Sequence, residues 1–88
     1  MPSAQLILPE GNIREKDTII HTAADLGQLV RARRKQQALT QIEIAGLGNT
    51  GNRFIVDLEN GKPTVQLQKT LDIMALLGLE VVVRAKGG

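Results

Sequence analysis

The chain has 88 residues, no cysteine, and a net charge of +2 from 11 Lys and Arg against 9 Asp and Glu. That length makes one small domain with a modest core, which dimerisation would help to stabilise. Without cysteine there is no disulfide or thiol chemistry, which fits a reducing cytosol, and no apolar run approaches the ~20 residues of a membrane helix.

Phe54 is the sole aromatic residue, so the core is expected to be aliphatic. The N-terminus shows no basic region followed by an apolar stretch, so no secretory signal is expected. The expected location is the cytoplasm, on the nucleoid when DNA is bound.

Residues 1–21 read as an arm outside the compact domain. Ala4-Gln5-Leu6-Ile7-Leu8 is a short apolar run stopped by Pro9, with Gly11-Asn12 behind it as a turn signal. Asp17-Thr18-Ile19-Ile20 is a second β-prone piece. Two readings stand together: an arm that carries strand, or a tail without fixed structure. His21 is the sole histidine, and with no cysteine near it a metal site lacks ligands. It is expected at the surface, and neither metal nor cofactor is expected.

The compact domain is expected over residues 22–78. Thr22-Ala23-Ala24-Asp25 has the form of a capping box, and Asp25 suits the positive end of the helix dipole. Leu26, Leu29, Val30 and Arg33 follow helical spacing, and the helix should end near Gln37-Ala38. Arg31, Arg33, Arg34 and Lys35 fall close together near its end. Alone, such a cluster is a solvated helix face; beside a DNA-reading unit it is the footprint of nucleic-acid binding.

That unit is Thr40 to Lys62, TQIEIAGLGNTGNRFIVDLENGK. Thr40 is a good N-cap, and Glu43 three residues on completes a second capping box. Ile44 and Leu47 give this helix an apolar edge. A turn is expected at Gly48-Asn49-Thr50-Gly51, where Gly, and Asn less easily, can take a positive φ. A second helix should run from about Asn52 to Leu58, with Ile55 and Leu58 inward. Asn60-Gly61 ends it, Gly61 being free to adopt the left-handed cap. The spacing is that of a DNA-reading helix-turn-helix.

Pro63 breaks the chain, and Thr64 is placed to cap a further helix of about twelve residues. Leu67, Leu71, Met74 and Leu77 form its apolar face, with Ile73 and Leu76 beside it, and Gly78 stops it. Residues 79–88 are β-branched and read as a strand, carried by Leu79, Val81, Val82 and Val83. A lone strand needs a partner. The candidates are Leu6-Ile7-Leu8, Thr18-Ile19-Ile20, or the same strand of a second subunit, which would make a dimer.

Arg34, Thr40-Gln41, Ala45, Ile55 and Leu58-Glu59-Asn60-Gly61-Lys62 resemble the Xre/Cro family, the helix-turn-helix repressors related to the lambdoid phage repressors. The likeness runs from about Leu26 to Leu79 without a gap. It implies a mainly α, lambda-repressor-like bundle of four to five helices with a C-terminal strand. The family usually places Gly where this chain has Gln37-Ala38. The short domain ending in LGLEVVV further resembles the HipB-like antitoxins, the DNA-binding partners of HipA-like toxin kinases. That resemblance implies a homodimer that binds the operator of its own operon, an inverted repeat, and also binds a HipA-like kinase toxin. The chain departs from some relatives in its longer N-terminal arm.

Candidate site residues follow. A reading helix presents its first turns to base edges in the major groove. Here these are Gly51, Asn52, Arg53 and Phe54. Arg53 suits guanine and Asn52 suits adenine, while Phe54 either packs on thymine methyls or turns back to the core. Asp57 is either a positioner of Arg53 or a surface residue. Expected phosphate contacts are Arg33, Arg34, Lys35, Thr40, Gln41, Thr50, Asn60 and Lys62, with Gln41 assigned by the resemblance. The resemblance also pairs Arg34 with Glu59 across the fold.

An enzyme is not expected. The chain has no nucleophile paired with a second histidine, no metal cluster and no phosphate loop, and Gly46-Leu47-Gly48 lacks a preceding strand. Three functions are carried forward: an antitoxin that represses its own operon; a free-standing Xre or phage-type regulator; and a protein-interaction module on a helix-turn-helix scaffold.

Overall fold

The computed structural model describes residues 17–87, and the apolar run Leu6-Ile7-Leu8 lies outside them. Among the described residues there are four helices and no strand: α1 (Ala23–Gln36), α2 (Gln41–Leu47), α3 (Asn52–Glu59) and α4 (Leu67–Leu76).

Both expected capping boxes form. The Asp25 N–H donates to Thr22 Oγ1 at 3.0 Å, and Asp25 Oδ2 accepts from the N–H groups of Thr22 and His21. The Glu43 N–H donates to Thr40 Oγ1 at 3.1 Å, and the Thr40 N–H returns to Glu43 Oε1 at 2.8 Å. These bonds satisfy N–H groups that a helix start otherwise leaves open. The α1 helix ends at Gln37, and Ala38 then adopts φ 58°. A left-handed alanine stands there, in a conformation that glycine adopts without a steric cost.

The core is aliphatic: Val30 from α1, Ile44 and Ala45 from α2, Ile55 and Leu58 from α3, Ile73 and Met74 from α4, and Leu77 just beyond. Leu26, Leu39, Phe54, Val65 and Leu79 pack around it. Leu47 is exposed, contrary to the edge expected of α2; Ala45 takes the inward place beside Ile44. Gly27 allows α1 to lie directly on the end of α3. A Cβ there would stand 2.5 Å from the Leu58 carbonyl oxygen and 2.7 Å from that of Glu59.

The last helix differs from expectation at its start. Pro63 and Thr64 sit in a turn, Val65 packs inward, and α4 is capped at Gln66 without a side-chain bond. Packing of Val65 holds the chain in the turn past Thr64, so the helix has ten residues. Its buried positions are Thr70, Ile73 and Met74, while Leu67 and Leu71 are exposed. Gly78 ends the turn with φ 75°. Beyond Leu79 the tail makes no ladder, and Val81, Val82 and Val83 are exposed.

Candidate nucleic-acid interface

Helices α2 and α3 and the turn between them form the helix-turn-helix. Within the turn, Asn49 takes the left-handed conformation at φ 53°. Gly48 and Gly51 have ordinary negative φ, so the turn does not use their freedom as expected. Gly48 instead makes room for a neighbour, since a Cβ there would meet Ile73 Cδ1 at 2.5 Å and that side chain would have to shift. Gly51 has open space where its Cβ would be, so the fold of this chain does not require glycine there. It is the N-cap of α3 and offers no side-chain acceptor, so the first N–H groups of α3 have no side-chain cap.

Ile55 and Leu58 anchor α3 in the core. Asn52 and Arg53 lie on its outer face, and the Arg53 side chain is 84% exposed. Arg53 Nε is 3.2 Å from Asp57 Oδ1, one turn along, and Lys62 Nζ is 3.5 Å from Asp57 Oδ2. The Arg53–Asp57 spacing is legible in the sequence; the approach of Lys62 to the same carboxylate is not. Phe54 takes the inward of its two readings: it is half-buried against the core, with Lys69 Nζ 5.7 Å from its ring centroid. Nothing in the sequence linked Lys69 to α3.

The basic cluster divides by direction. Arg34 is buried, and three of its nitrogens are engaged. Nε and Nη2 donate to the Glu59 carboxylate at 2.6 and 3.0 Å, and Nη1 donates to the Leu39 carbonyl at 2.7 Å. The bonds it donates to Glu59 raise the Arg34 pKa against the effect of burial. Burial pushes Glu59 up, but the hydrogen bonds from Arg34 and Gln41 and the charges of Arg34 and Arg31 outweigh it and hold the carboxyl below its ordinary range. This is the cross-fold pair, and it engages Arg34 inside the fold.

Arg33 also turns inward. Its Nε donates to the Leu77 carbonyl at 2.8 Å, and Gln37 Nε2 donates to the same oxygen at 2.9 Å. A helix end leaves carbonyls without partners, and here one side chain of α1 and that of its C-cap satisfy one at the end of α4. Arg33 was expected at phosphate, and the role of Gln37 was not foreseen. Arg31 and Lys35 remain exposed.

Of the other expected phosphate contacts, Asn60 and Lys62 are exposed beyond α3. The hydroxyl of Thr40 caps α2. Gln41 Nε2 donates to Glu59 Oε1 at 3.1 Å. Thr50 Oγ1 is buried without a hydrogen-bond partner among the described residues. No group of three or more His, Cys, Asp or Glu side chains is placed to hold a metal among the described residues. No described helix is long and apolar enough to cross a membrane.

No protein-family model matches the chain. Over 68 residues it is 52% identical to the "Uncharacterized HTH-type transcriptional regulator y4mF" of Sinorhizobium fredii (strain NBRC 101917 / NGR234), covering 77% of this chain and 90% of that protein. Its fold matches a solved structure described as "HipB-O4 20mer complex", with a TM-score of 0.73 and 21% identity over 80% of this chain and 99% of that one. The HipB-like chain of "Structure of HipA-HipB-O2-O3 complex" matches with the same TM-score, identity and coverage. At that identity the likeness is one of fold. The match to the regulator spans most of both chains, and the protein belongs to the helix-turn-helix transcriptional regulators of the Xre type, with a fold similar to that of HipB.

Proposed function

We propose that the protein is a homodimeric, sequence-specific repressor that acts as the antitoxin of a type II toxin–antitoxin module. It binds the operator of its own operon and neutralises a HipA-like kinase by direct contact. The observation that carries this reading is the fold match to HipB, solved both in a "20mer complex" and with HipA.

The outer face of α3 supports the DNA-binding part. Gly51, Asn52 and Arg53 stand at its start, and the open space at Gly51 suits close approach to a duplex. Arg53 reads guanine and Asn52 reads adenine in the major groove. Phe54 backs the helix from inside. Lys35, Thr40, Gln41, Asn60 and Lys62 flank it for phosphate contacts, which orient the protein and carry the salt-dependent part of affinity.

The tail supports the dimer. Val81, Val82 and Val83 are 55, 70 and 91% exposed, a large apolar surface for a monomer. Val81 and Val82 line a groove of about 670 Å³ whose other walls include Leu26, Leu29, Leu67, Leu71 and Met74. Residues 79–88 of two copies pair as strands over these grooves. A two-fold dimer then meets an inverted repeat with half-sites about one helical turn apart. The complex works in the cytoplasm, on the nucleoid.

A second reading, a free-standing regulator with no toxin, is favoured by one observation: the relative at 52% identity is described only as a transcriptional regulator. Two measurements test these. A gel shift with the protein's own upstream region at low ionic strength should show a complex, with two protected half-sites in a footprint. Co-expression with a kinase-like neighbouring gene should give a stable complex and loss of kinase toxicity. A shift without any such complex supports the second reading, and no shift overturns both.

A further inference from the structure

Asp57 occupies an unusual position on α3. Its two carboxylate oxygens each face a cation, Arg53 Nε at 3.2 Å and Lys62 Nζ at 3.5 Å. The Asp57 side chain is 20% exposed, against 84% for Arg53 and 53% for Lys62. A carboxylate that is mostly buried thus faces two solvent-exposed cations, one on α3 itself and one just beyond its end.

Stability gives a poor reason for this arrangement. A carboxylate in the last turn of a helix opposes the helix dipole, and the cation that offsets it, Lys62, is an exposed one beyond the helix end. Pairs between solvent-exposed cations and carboxylates contribute little. On a surface that meets phosphates, a negative charge also repels the ligand. Two features that weaken folding and affinity therefore converge on one residue.

Geometry gives the reason. Arg53 and Asp57 lie one turn apart, on the face of α3 opposite the buried Ile55 and Leu58. Asp57 Oδ1 stands beside the guanidinium at Nε as an ion pair at 3.2 Å, and among the described residues no other side chain engages its Nη1/Nη2 edge. That edge is a planar fork that matches guanine O6 and N7. A free arginine loses side-chain freedom when it makes that contact; one already held at Nε loses less.

We propose that Asp57 is a positioning residue that sets base specificity. It presents the Nη1/Nη2 edge of Arg53 to guanine and fixes Lys62 beside the backbone. Its own charge weakens binding to any duplex in which Arg53 does not find guanine. This rests on the base-reading role proposed above for Arg53.

The test is selection from a random duplex pool with wild type, Asp57→Asn, Asp57→Glu and Arg53→Ala, together with titration of a mixed-sequence duplex across salt. Wild type should enrich a motif with a guanine column in each half-site, and Arg53→Ala should lose that column. Asp57→Asn should lose most of the same column and keep the others, while Asp57→Glu restores part of it. Because one repelling charge is gone, Asp57→Asn should bind the mixed duplex about threefold tighter or more at low salt. A merely structural role would weaken every column together and lower Tm. An Asp57→Asn motif equal to wild type in every column, or a uniform loss with a lower Tm, overturns the proposal. A wild-type pool without a motif, or an Arg53→Ala motif that keeps the guanine, shows instead that the base-reading role fails and takes this inference with it.

Discussion

Arg34 and Glu59 meet through two parallel hydrogen bonds, Nε to Oε2 at 2.6 Å and Nη2 to Oε1 at 3.0 Å, although 25 positions separate them. Their side chains are 9 and 3% exposed. The remaining bonds tie in the Leu39 carbonyl and the Gln41 side chain. One ion pair thus joins α1, the linker before α2, the start of α2 and the end of α3.

Breaking one half of this pair strands a buried charge. Glu59→Ala should cost roughly 3–5 kcal/mol, a large share of the ~5–15 kcal/mol that stabilises a domain. Replacing both partners, Arg34→Met with Glu59→Leu, should recover most of that loss, because two desolvated charges leave together. Urea denaturation of the single and double variants measures it. A single variant that costs less than about 1 kcal/mol would mean that the pair behaves as a surface one.

The same pair sets an acid limit. Burial works to raise the Glu59 pKa, but the bonds from Arg34 and Gln41 and the nearby positive charges lower it overall. A carboxyl lowered in the folded state contributes stability above its unfolded value, near about 4.3 for glutamate. That contribution is lost as pH falls through the lower folded value. Asp25 has the same sign, held down chiefly by the backbone N–H of His21. Urea midpoints should be flat from neutral pH to about 5 and should then decline. Glu59→Gln should be less stable at neutral pH and show a shallower decline. An unchanged acid slope in that variant would remove Glu59 from the account.

Local signals in the sequence specify local structure. The capping boxes at Thr22–Asp25 and Thr40–Glu43 form because their partners are three residues apart and need nothing from the rest of the fold. Ile55, Leu58 and Gly61 behave as their spacing implies, and Gly61 has φ 81°. Longer-range choices were hidden. The periodicity around α4 shows an apolar helix but not that Leu67 and Leu71 lie outside while Thr70 lies inside. Arg33 looks like any basic residue beside a DNA-reading unit, and only the fold brings the Leu77 carbonyl, 44 positions away, to its Nε. Gly27 did leave a trace: glycine within a helix costs about 1 kcal/mol relative to alanine, so its presence hints at close backbone approach.

Ala38 carries strain that the chain can lose. At φ 58° its Cβ crowds the backbone, at a cost of roughly 1–2 kcal/mol. Glycine removes that cost but gives the unfolded chain more freedom, worth about 0.4–1 kcal/mol. The net expectation for Ala38→Gly is a gain of about 0.5–1 kcal/mol, which for a domain of this size raises Tm by about 2–8 °C. Calorimetry tests it, and a lower Tm would mean that the left-handed conformation is not held in solution.

Arg33 and Lys62 are both cations near the proposed duplex, but the structure gives them different work. Lys62→Ala should reduce the slope of log affinity against log salt by about 1, as loss of one phosphate contact does. Arg33→Ala should leave that slope unchanged. It should instead lower stability by roughly 1.5–3 kcal/mol, the range for a hydrogen bond from a charged group. A reduced salt slope in Arg33→Ala would show that its contact with the Leu77 carbonyl gives way to phosphate when DNA binds.

Truncation of the tail separates folding from assembly. Leu79 packs on the core, and its N–H donates to the Met74 carbonyl at 2.9 Å, so a cut should fall after it. Removal of residues 80–88 deletes the exposed Val81, Val82 and Val83 and leaves the helices intact. Thermal unfolding should still be cooperative, while sedimentation should shift from dimer to monomer. Two linked half-site contacts gain about 10²–10⁴ in avidity over one, so operator affinity should fall by a factor in that range while affinity for an isolated half-site stays constant. An intact dimer after this cut would place the two-fold contact elsewhere, with the α1–α4 groove wall at Leu29, Leu67 and Leu71 as the next surface to substitute.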